Sequence, residues 1–179
     1  EAATATVLAA DTAGRPLVGT ADLHTLAQTE PDRLYAVRRP ASHKGMRNYI
    51  SRVAVPSTAG PKAVWCESFN ELSHLRDLLL LCRPVQVTTQ PFRLEWVFVS
   101  GVRSHVPDFL MRHPDGRTLL VDVTTESKLD DPRVAAVLRL TGGCAAAMGW
   151  DYEVRSEMPP QRIRNINFIH AGRGDVEQL

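Results

Sequence analysis

Two short apolar runs on either side of a turn signal constrain the fold of this chain more than any other feature. The first run is Phe109-Leu110-Met111, the second covers residues 118–123, and Pro114-Asp115-Gly116 between them predicts a tight turn. The segment 103–128 is therefore predicted to contain a β-hairpin around which the rest of the chain is organised.

Each run of this hairpin carries one aspartate. Asp108 follows Pro107 at the start of the first run, and Asp122 lies between Val121 and Val123 in the second. Aspartate is disfavoured in strands and costly to bury without a partner. Two carboxylates on neighbouring strands can converge on one hard cation, which accepts oxygen ligands and neutralises both charges. Local sequence explains Asp108 equally well as a turn residue that accepts hydrogen bonds from the backbone.

Composition fits a single folded domain. The chain has 179 residues, of which 44% are apolar and 23% charged, and no apolar run is long enough to cross a bilayer. A net charge of +1 excludes a globally basic nucleic-acid-binding surface but allows a local basic face. The 18 arginines and three lysines fit bidentate phosphate contacts, although a GC-rich genome explains that bias better.

The cysteines and the start of the chain bear on location. Cys66, Cys82 and Cys144 are odd in number and widely spaced, which favours a reducing compartment over a disulfide framework, and no zinc-binding pattern is present. The chain begins at Glu1 and lacks a charged-then-apolar signal pattern, so we expect a trimmed form of a cytoplasmic protein.

Residues 1–37 are predicted to form an N-terminal arm, residues 38–170 a domain, and residues 171–179 a flexible tail. Scattered Gly and Pro predict an irregular conformation for residues 1–34, with one short helix near residues 21–29.

A basic cluster opens the predicted domain. Arg38, Arg39, Lys44 and Arg47 lie within ten residues, and they can contact phosphates without reading bases. The competing interpretation is a solvated surface loop. Arg103, at the start of the hairpin segment, is a further predicted DNA contact.

Hydrophobic periodicity and cap signals predict the remaining elements. In order, they are strands at 50–55 and 63–66, a helix from the Ser68 cap to Pro84, strands at 85–89 and 92–99, the hairpin, a helix from Asp131 to Met148, and strands around 150–154 and 163–169. This order predicts an α/β fold in which helices flank a mixed sheet. Gly142 and Gly143 cost about 1 kcal/mol each inside a helix, so we expect close packing against the sheet there.

Five phrases in this order resemble the PD-(D/E)xK, restriction-endonuclease-like fold, and more narrowly the TnsA-type endonuclease subunit of heteromeric transposases. The phrases are Glu67-Ser68-Phe69-Asn70-Glu71, Gln90-Pro91-Phe92-Arg93-Leu94-Glu95-Trp96, His105-Val106-Pro107-Asp108-Phe109, Val121-Asp122-Val123 and Gly149-Trp150-Asp151-Tyr152. They span residues 38–154, and it is the set in order, rather than any one phrase, that carries the resemblance.

The resemblance implies Mg²⁺- or Mn²⁺-dependent cleavage of double-stranded DNA at transposon ends, beside a transposase partner subunit. By position, it makes Asp108, Asp122 and the Val123 carbonyl metal ligands, and Glu71 an outer carboxylate that binds a second ion or orients water. Carboxylate-bound metal ions suit this chemistry independently, because they lower the pKa of bound water and stabilise the leaving oxygen. The sequence leaves open whether the chain forms a homodimer.

The chain departs from the family pattern at one catalytic position. The lysine of the motif falls at Thr124, which cannot bring positive charge to the phosphate. Lys128, four residues further on, and Arg103 are the candidate substitutes. The alternatives to an active nuclease are a nuclease-fold module that binds DNA or a partner without cutting, and a purely structural subunit.

Other candidate residues have simpler explanations. Glu71 is the fourth residue of a Ser68-x-x-Glu71 capping box, in which its carboxylate bonds the start of the helix, and Glu67 is then the fallback carboxylate. The histidines show no metal-ligand spacing, and His105, three residues before Asp108, is the one that merits attention. The three tryptophans are better explained by packing than by stacking on bases.

Overall fold

A computed structural model describes residues 3–10, 16–38, 50–99 and 101–174. Its strands are β1 Ala3–Ala10, β2 Pro16–Ala21, β3 Leu34–Tyr35, β4 Ser51–Val55, β5 Lys62–Cys66, β6 Gln86–Thr89, β7 Phe92–Phe98, β8 Gly101–His105, β9 Phe109–Arg112, β10 Thr118–Val123 and β11 Asp151–Arg155. Its helices are α1 Leu23–Ala27, α2 Phe69–Leu81, α3 Glu126–Leu129, α4 Pro132–Ala147 and α5 Pro160–Gly174.

The predicted hairpin is confirmed and lies in the middle of a four-stranded sheet of order β11-β10-β9-β6. Strands β9 and β10 pair antiparallel, with Phe109 opposite Val121, whereas β10 and β11 pair in parallel. Parallel neighbours need a long crossover, which α4 provides between the two strands. The predicted α/β class, with a mixed sheet flanked by helices, is therefore confirmed.

Alternating residues of the hairpin face two different layers, as the period of two in a strand requires. Leu110 and Leu120 belong to a core cluster with residues of α4, including Ala145. Phe109 and Val121 belong to a second cluster with the apolar face of α2. Each face of the sheet is thus covered by one of the two long helices that the sequence predicts.

The caps that define those helices are confirmed. Ser68 caps α2 by accepting a hydrogen bond from the Glu71 amide, and Asp131 caps α4 by accepting one from the Arg133 amide. Gly149 adopts a φ of 72° directly after α4, a conformation that glycine adopts without strain. The three cysteines are free. Among the described residues, every helix is too short or too polar to cross a bilayer.

The irregular conformation predicted for residues 1–34 is wrong for the described part of the arm. Strand β1 pairs antiparallel with β2, β3 and β7, in a sheet of order β2-β1-β7-β8. The short helix near residues 21–29 is confirmed as α1. Local patterning missed β1 because it is paired with β7, which lies about 90 residues away in sequence, and β2 and β3 in turn pair with β1.

The strand predicted at residues 163–169 is also wrong, because α5 covers this segment and continues beyond the expected tail boundary at residue 171. Pro160 occupies the first helical position, which its fixed φ favours. Ile163, Ile166 and Ile169 recur at three-residue spacing, and Ile166 is buried. His170 bonds the Arg76 carbonyl at 3.1 Å and so ties α5 to α2.

Candidate carboxylate site

Asp108 is bonded to the residues on both sides of Asp122. Its amide donates to the carbonyl of Val121 at 3.1 Å, and its carboxylate oxygen Oδ2 accepts from the amide of Val123 at 2.7 Å. The carbonyl of Asp108 accepts from the Gln90 amide at 2.9 Å, which fixes the backbone just before β9. These three bonds hold the two aspartates side by side where β9 begins and β10 ends.

Asp122 is 2% exposed, and both of its carboxylate oxygens have a partner. His105 Nε2, at the end of β8, donates to Oδ1 at 2.9 Å, and the Tyr152 hydroxyl, on β11, donates to Oδ2 at 2.6 Å. Burial and the neighbouring negative charge of Asp122 raise the pKa of Tyr152, so its hydroxyl keeps the proton that it donates. Asp122 is thus oriented by side chains from β8 and β11, which belong to two different sheets.

Glu71 closes the capping box that its position predicts. Its Oε1 accepts from the Ser68 hydroxyl at 2.8 Å, and its Oε2 accepts from the Glu67 amide at 2.8 Å. The same side chain lies close enough to Asp108 for its charge to act on that carboxyl group. We call Asp108, Asp122 and Glu71 the carboxylate site.

Negative charge accumulates at the carboxylate site. Burial raises the pKa of Asp108 well above its usual value, and the charges of Asp122 and Glu71 raise it further. Burial also raises the pKa of Glu71. The pKa of the Cys66 thiol is raised to about 12, first by burial and then by the charges of Glu71 and Asp108.

Arg38 brings positive charge to this group. Its guanidinium pairs with Glu67, and its charge offsets a small part of the rise that burial causes in the pKa values of Asp108 and Glu71. Arg38 is exposed, so it is also open to solvent on one side. Of the other predicted DNA contacts, Arg103 is exposed on β8, whereas Arg39, Lys44 and Arg47 lie outside the described residues.

The two remaining catalytic candidates, Thr124 and Lys128, differ in burial. Thr124 is half-buried directly after β10, and its carbonyl accepts from the Asn70 side chain at 3.0 Å, which links it to α2. Lys128 is exposed on α3, and the described residues give it no ion pair with the carboxylate site. Val123, whose carbonyl was predicted as a metal ligand, contacts Asp108 through its amide N–H.

The donor set fits a hard divalent ion in its chemistry. All three side chains offer carboxylate oxygens. The pKa of Asp108 is raised by burial and then by the negative charges of Asp122 and Glu71, which a bound cation would neutralise. Within the described ranges, no three His, Cys, Asp or Glu side chains are already grouped to hold a metal. Mg²⁺ commonly takes only one or two protein carboxylates, together with water and substrate phosphate oxygens, so the Asp108 and Asp122 pair matches that ion.

Sequence reasoning did not identify Tyr152 as part of this site. Tyr152 lies on β11, which pairs in parallel with β10 after a crossover that contains α4. No local sequence pattern predicts a neighbour that is this distant in sequence. The proximity of His105 to the site could be predicted from the sequence, because His105 lies three residues before Asp108 and β8 leads directly into β9.

Packing against Tyr152 leads to a prediction about the two glycines of α4. A Cβ added at Gly142 would lie 3.0 Å from Cδ1 of Tyr152, whereas one at Gly143 would meet nothing within 4 Å. We expect Gly142→Ala to displace the ring that holds Asp122 and to lower the free energy of unfolding by about 1–2 kcal/mol. Gly143→Ala is the matched control and should raise it by about 0.5–1 kcal/mol, because alanine favours the helix. Urea unfolding of both variants checks this, and equal effects would contradict the close contact.

A scan of protein-family models finds no match to this chain, and a search of curated proteins finds none either.

Proposed function

We propose that the chain is a metal-dependent DNA endonuclease that hydrolyses phosphodiester bonds, as the endonuclease subunit of a heteromeric transposase acting on transposon ends. The observation that carries the proposal is the placement of Asp108 against both neighbours of Asp122, with its pKa raised by burial and then by the charges of Asp122 and Glu71. Two neighbouring carboxylates that are largely removed from water are costly unless a cation joins them, which supports the binding of a divalent ion between them.

In this proposal each side chain has one task. Asp108 and Asp122 supply carboxylate oxygens to Mg²⁺ or Mn²⁺, with the Val123 carbonyl and Glu71 as further ligands. The bound ion would polarise the scissile phosphate and activate the attacking water. Tyr152 and His105 hold Asp122 in a fixed orientation, and the Val123 amide does the same for Asp108.

Arg38 is the cation that this proposal places nearest to the DNA phosphate. Its charge acts on Asp108 and Glu71, and its partner Glu67 can be exchanged for a phosphate oxygen as DNA enters. Arg39, Lys44, Arg47 and Arg103 would extend contacts along the DNA backbone. The substrate is double-stranded DNA, the partner is a transposase subunit, and the compartment is the cytoplasm.

A nicking assay tests the proposal. The purified chain, alone and with its transposase partner, is incubated with a supercoiled plasmid carrying transposon ends in Mg²⁺, Mn²⁺ or EDTA. We expect nicked or linear product with either metal and none in EDTA. Intact plasmid in every metal, in a system where the partner is shown to be active, would overturn the endonuclease proposal.

Thr124 favours a second candidate function. In it, the chain is a nuclease-fold module that binds DNA or a transposase partner but no longer cleaves DNA. The neutral side chain cannot stabilise charge that develops on the phosphate, and Glu71 already uses both carboxylate oxygens in the capping box. This module would show salt-dependent DNA binding without cutting in any metal.

Adding the missing lysine separates the two candidates. We expect Thr124→Lys to raise the initial nicking rate by about 10- to 100-fold, because it adds one preorganised positive charge beside the phosphate. Thr125→Lys is the matched control, since it adds the same charge one position further along and should change the rate by less than about threefold. Equal acceleration by both variants would mean that the added charge only strengthens DNA binding. Cutting by Thr124→Lys alone, with none by the natural chain, would favour the second candidate.

A further inference from the structure

The outer face of the β4–β5 hairpin carries an aromatic side chain that the core does not use. Trp65 is 42% exposed, whereas Trp96 and Trp150 are 3% and 8% exposed. The flanking residues Val64 and Cys66 point into the core with α2, so strand alternation directs Trp65 to the opposite side. Packing in the core, which explains the burial of Trp96 and Trp150, therefore does not explain the position of Trp65.

A cation accompanies this aromatic ring. Arg52 is the cross-strand partner of Trp65, and its guanidinium carbon lies 5.8 Å from the ring centroid. That separation is within the range of a cation–π contact, which restricts the orientation of both side chains. Phe69, at the start of α2, is a second exposed aromatic residue four positions along the chain. An exposed ring beside an arginine, as at Trp65, is a combination that binds single-stranded nucleic acids.

Strand β5 leads directly into the carboxylate site. Glu67, two residues after Trp65, donates its amide hydrogen to Oε2 of Glu71 at 2.8 Å, which ties the end of β5 to the carboxylate site. Glu67 also pairs with Arg38. The hairpin that presents Trp65 is thus joined directly to residues that contact the carboxylate site.

We propose that Trp65 and Arg52 form a stacking platform for an unpaired nucleobase of the DNA strand that occupies the carboxylate site. This inference rests on the proposed DNA substrate and deepens it, because a base inside a duplex is not available for stacking. The substrate class is then DNA with unpaired nucleotides next to the phosphate that is bound. Stacking on an indole ring tolerates any base, since every base has a π-face, and Arg52 places positive charge beside the adjoining phosphate.

The burial of the other two tryptophans makes this proposal directly measurable. Because Trp96 and Trp150 are buried, quenching of tryptophan fluorescence by a DNA base reports mainly on Trp65. The full chain is titrated in EDTA, so that nothing is cut, with three probes: a single-stranded oligonucleotide, a blunt duplex, and the same duplex with an unpaired flank. We expect quenching by the single strand and the flanked duplex, and little by the blunt duplex.

Matched variants identify the side chain responsible. We expect Trp65→Ala to weaken binding of the flanked duplex about tenfold and to leave binding of the blunt duplex within about twofold. Trp65→Phe keeps an aromatic face and should recover most of that loss, and Arg52→Ala should fall between the two. Phe168→Ala is the control, because Phe168 is an exposed aromatic residue on α5, outside the segment that leads to the site. It should bind all three probes like the natural chain.

The outcomes separate this inference from the proposed function. Unchanged binding of the flanked duplex by Trp65→Ala overturns the stacking platform, even if metal-dependent nicking is observed. Selective loss in Trp65→Ala supports the platform, even if the natural chain cuts no DNA in any metal. Equal quenching by blunt and flanked duplexes overturns the selection for unpaired bases. Loss of binding to the transposase partner, with DNA binding intact, overturns the platform in favour of a protein-binding surface.

Discussion

Replacing Asp108 with asparagine is expected to abolish DNA cleavage and, at the same time, to raise the free energy of unfolding by about 1–2 kcal/mol. Cleavage should fall by about a thousandfold or more, because an amide is a poor ligand for a hard cation whose contribution to the transition state is several kcal/mol. Stability should rise because asparagine removes a buried charge that Asp122 and Glu71 oppose. Gains of this size are usual where a functional site is kept at a cost to stability.

The pH dependence of stability follows from the same charge. Folded Asp108 holds its proton to higher pH than the unfolded chain does, because its pKa is raised above the ordinary value of 3.8. The folded state therefore binds more protons above about pH 4, and stability contributed by this group falls as the pH rises from there through the folded pKa. Urea unfolding in EDTA at a series of pH values should show this fall in the natural chain and a smaller one in Asp108→Asn.

Asp151→Asn is the control for this experiment, since Asp151 is an exposed carboxylate on β11. It should leave both the cleavage rate and the free energy of unfolding nearly unchanged. A loss of stability in Asp108→Asn would show that the bond from the Val123 amide outweighs the repulsion. Cleavage at the natural rate in Asp108→Asn would remove Asp108 from the catalytic group.

Elements with strong local signals were predictable from the sequence. Ser68 and Asp131 fix the starts of α2 and α4, because each side chain bonds an amide that would otherwise lack a partner. The hairpin of β9 and β10 follows from two apolar runs around Pro114-Asp115-Gly116. These features act within a few residues, so one sequence is sufficient to recognise them.

Elements that depend on distant partners were not predictable. Strands β1 and β2 pair with each other, and β1 also pairs with β7, which no local pattern encodes. The segment of α5 was ambiguous because Ile163, Ile166, Phe168 and Ile169 allow both a strand and a helix interpretation over so short a run. Contacts with α2 decide for the helix.

The candidate site shows the same division. The sequence places Asp108 and Asp122 on neighbouring strands, and Glu71 in a capping box, because those positions follow from hairpin and cap rules. It does not reveal that Tyr152 and His105 occupy both oxygens of Asp122, since those contacts depend on the order of strands in the sheets. The contribution of Arg38 was likewise predicted only as a DNA contact, and its proximity to the carboxylates emerges from the pairing with Glu67.

Asp122→Ala is expected to have the opposite effect on stability from Asp108→Asn, although both substitutions remove a carboxylate from one hairpin. Asp122 accepts hydrogen bonds from His105 and Tyr152, and its removal leaves two partly buried polar groups without an acceptor. Breaking a buried charged pair typically costs about 3–5 kcal/mol, and we expect a loss of about 3 kcal/mol here. Against a total stability of about 5–15 kcal/mol for a domain, that loss is large.

Tyr152→Phe separates the structural role of this bond from metal binding. It removes only the 2.6 Å bond to Oδ2, so we expect a loss of about 1.5–3 kcal/mol, the usual contribution of a hydrogen bond to a charged group. Urea unfolding in EDTA measures both losses without any contribution from an ion. Asp115→Ala, at the exposed turn of the same hairpin, is the control and should cost less than about 1 kcal/mol.

Adding Mn²⁺ to the same unfolding experiments distinguishes a metal ligand from a structural carboxylate. An ion that binds only the folded chain stabilises it by an amount that grows with the logarithm of the ratio of ion concentration to dissociation constant. The natural chain should therefore gain about 2.7 kcal/mol at a concentration 100 times the dissociation constant. Tyr152→Phe should keep most of this gain, because Asp122 keeps its oxygens, whereas Asp122→Ala and Asp108→Asn should lose it. An equal gain in all four proteins would place the ion elsewhere and leave Asp122 as a purely structural acceptor for His105 and Tyr152.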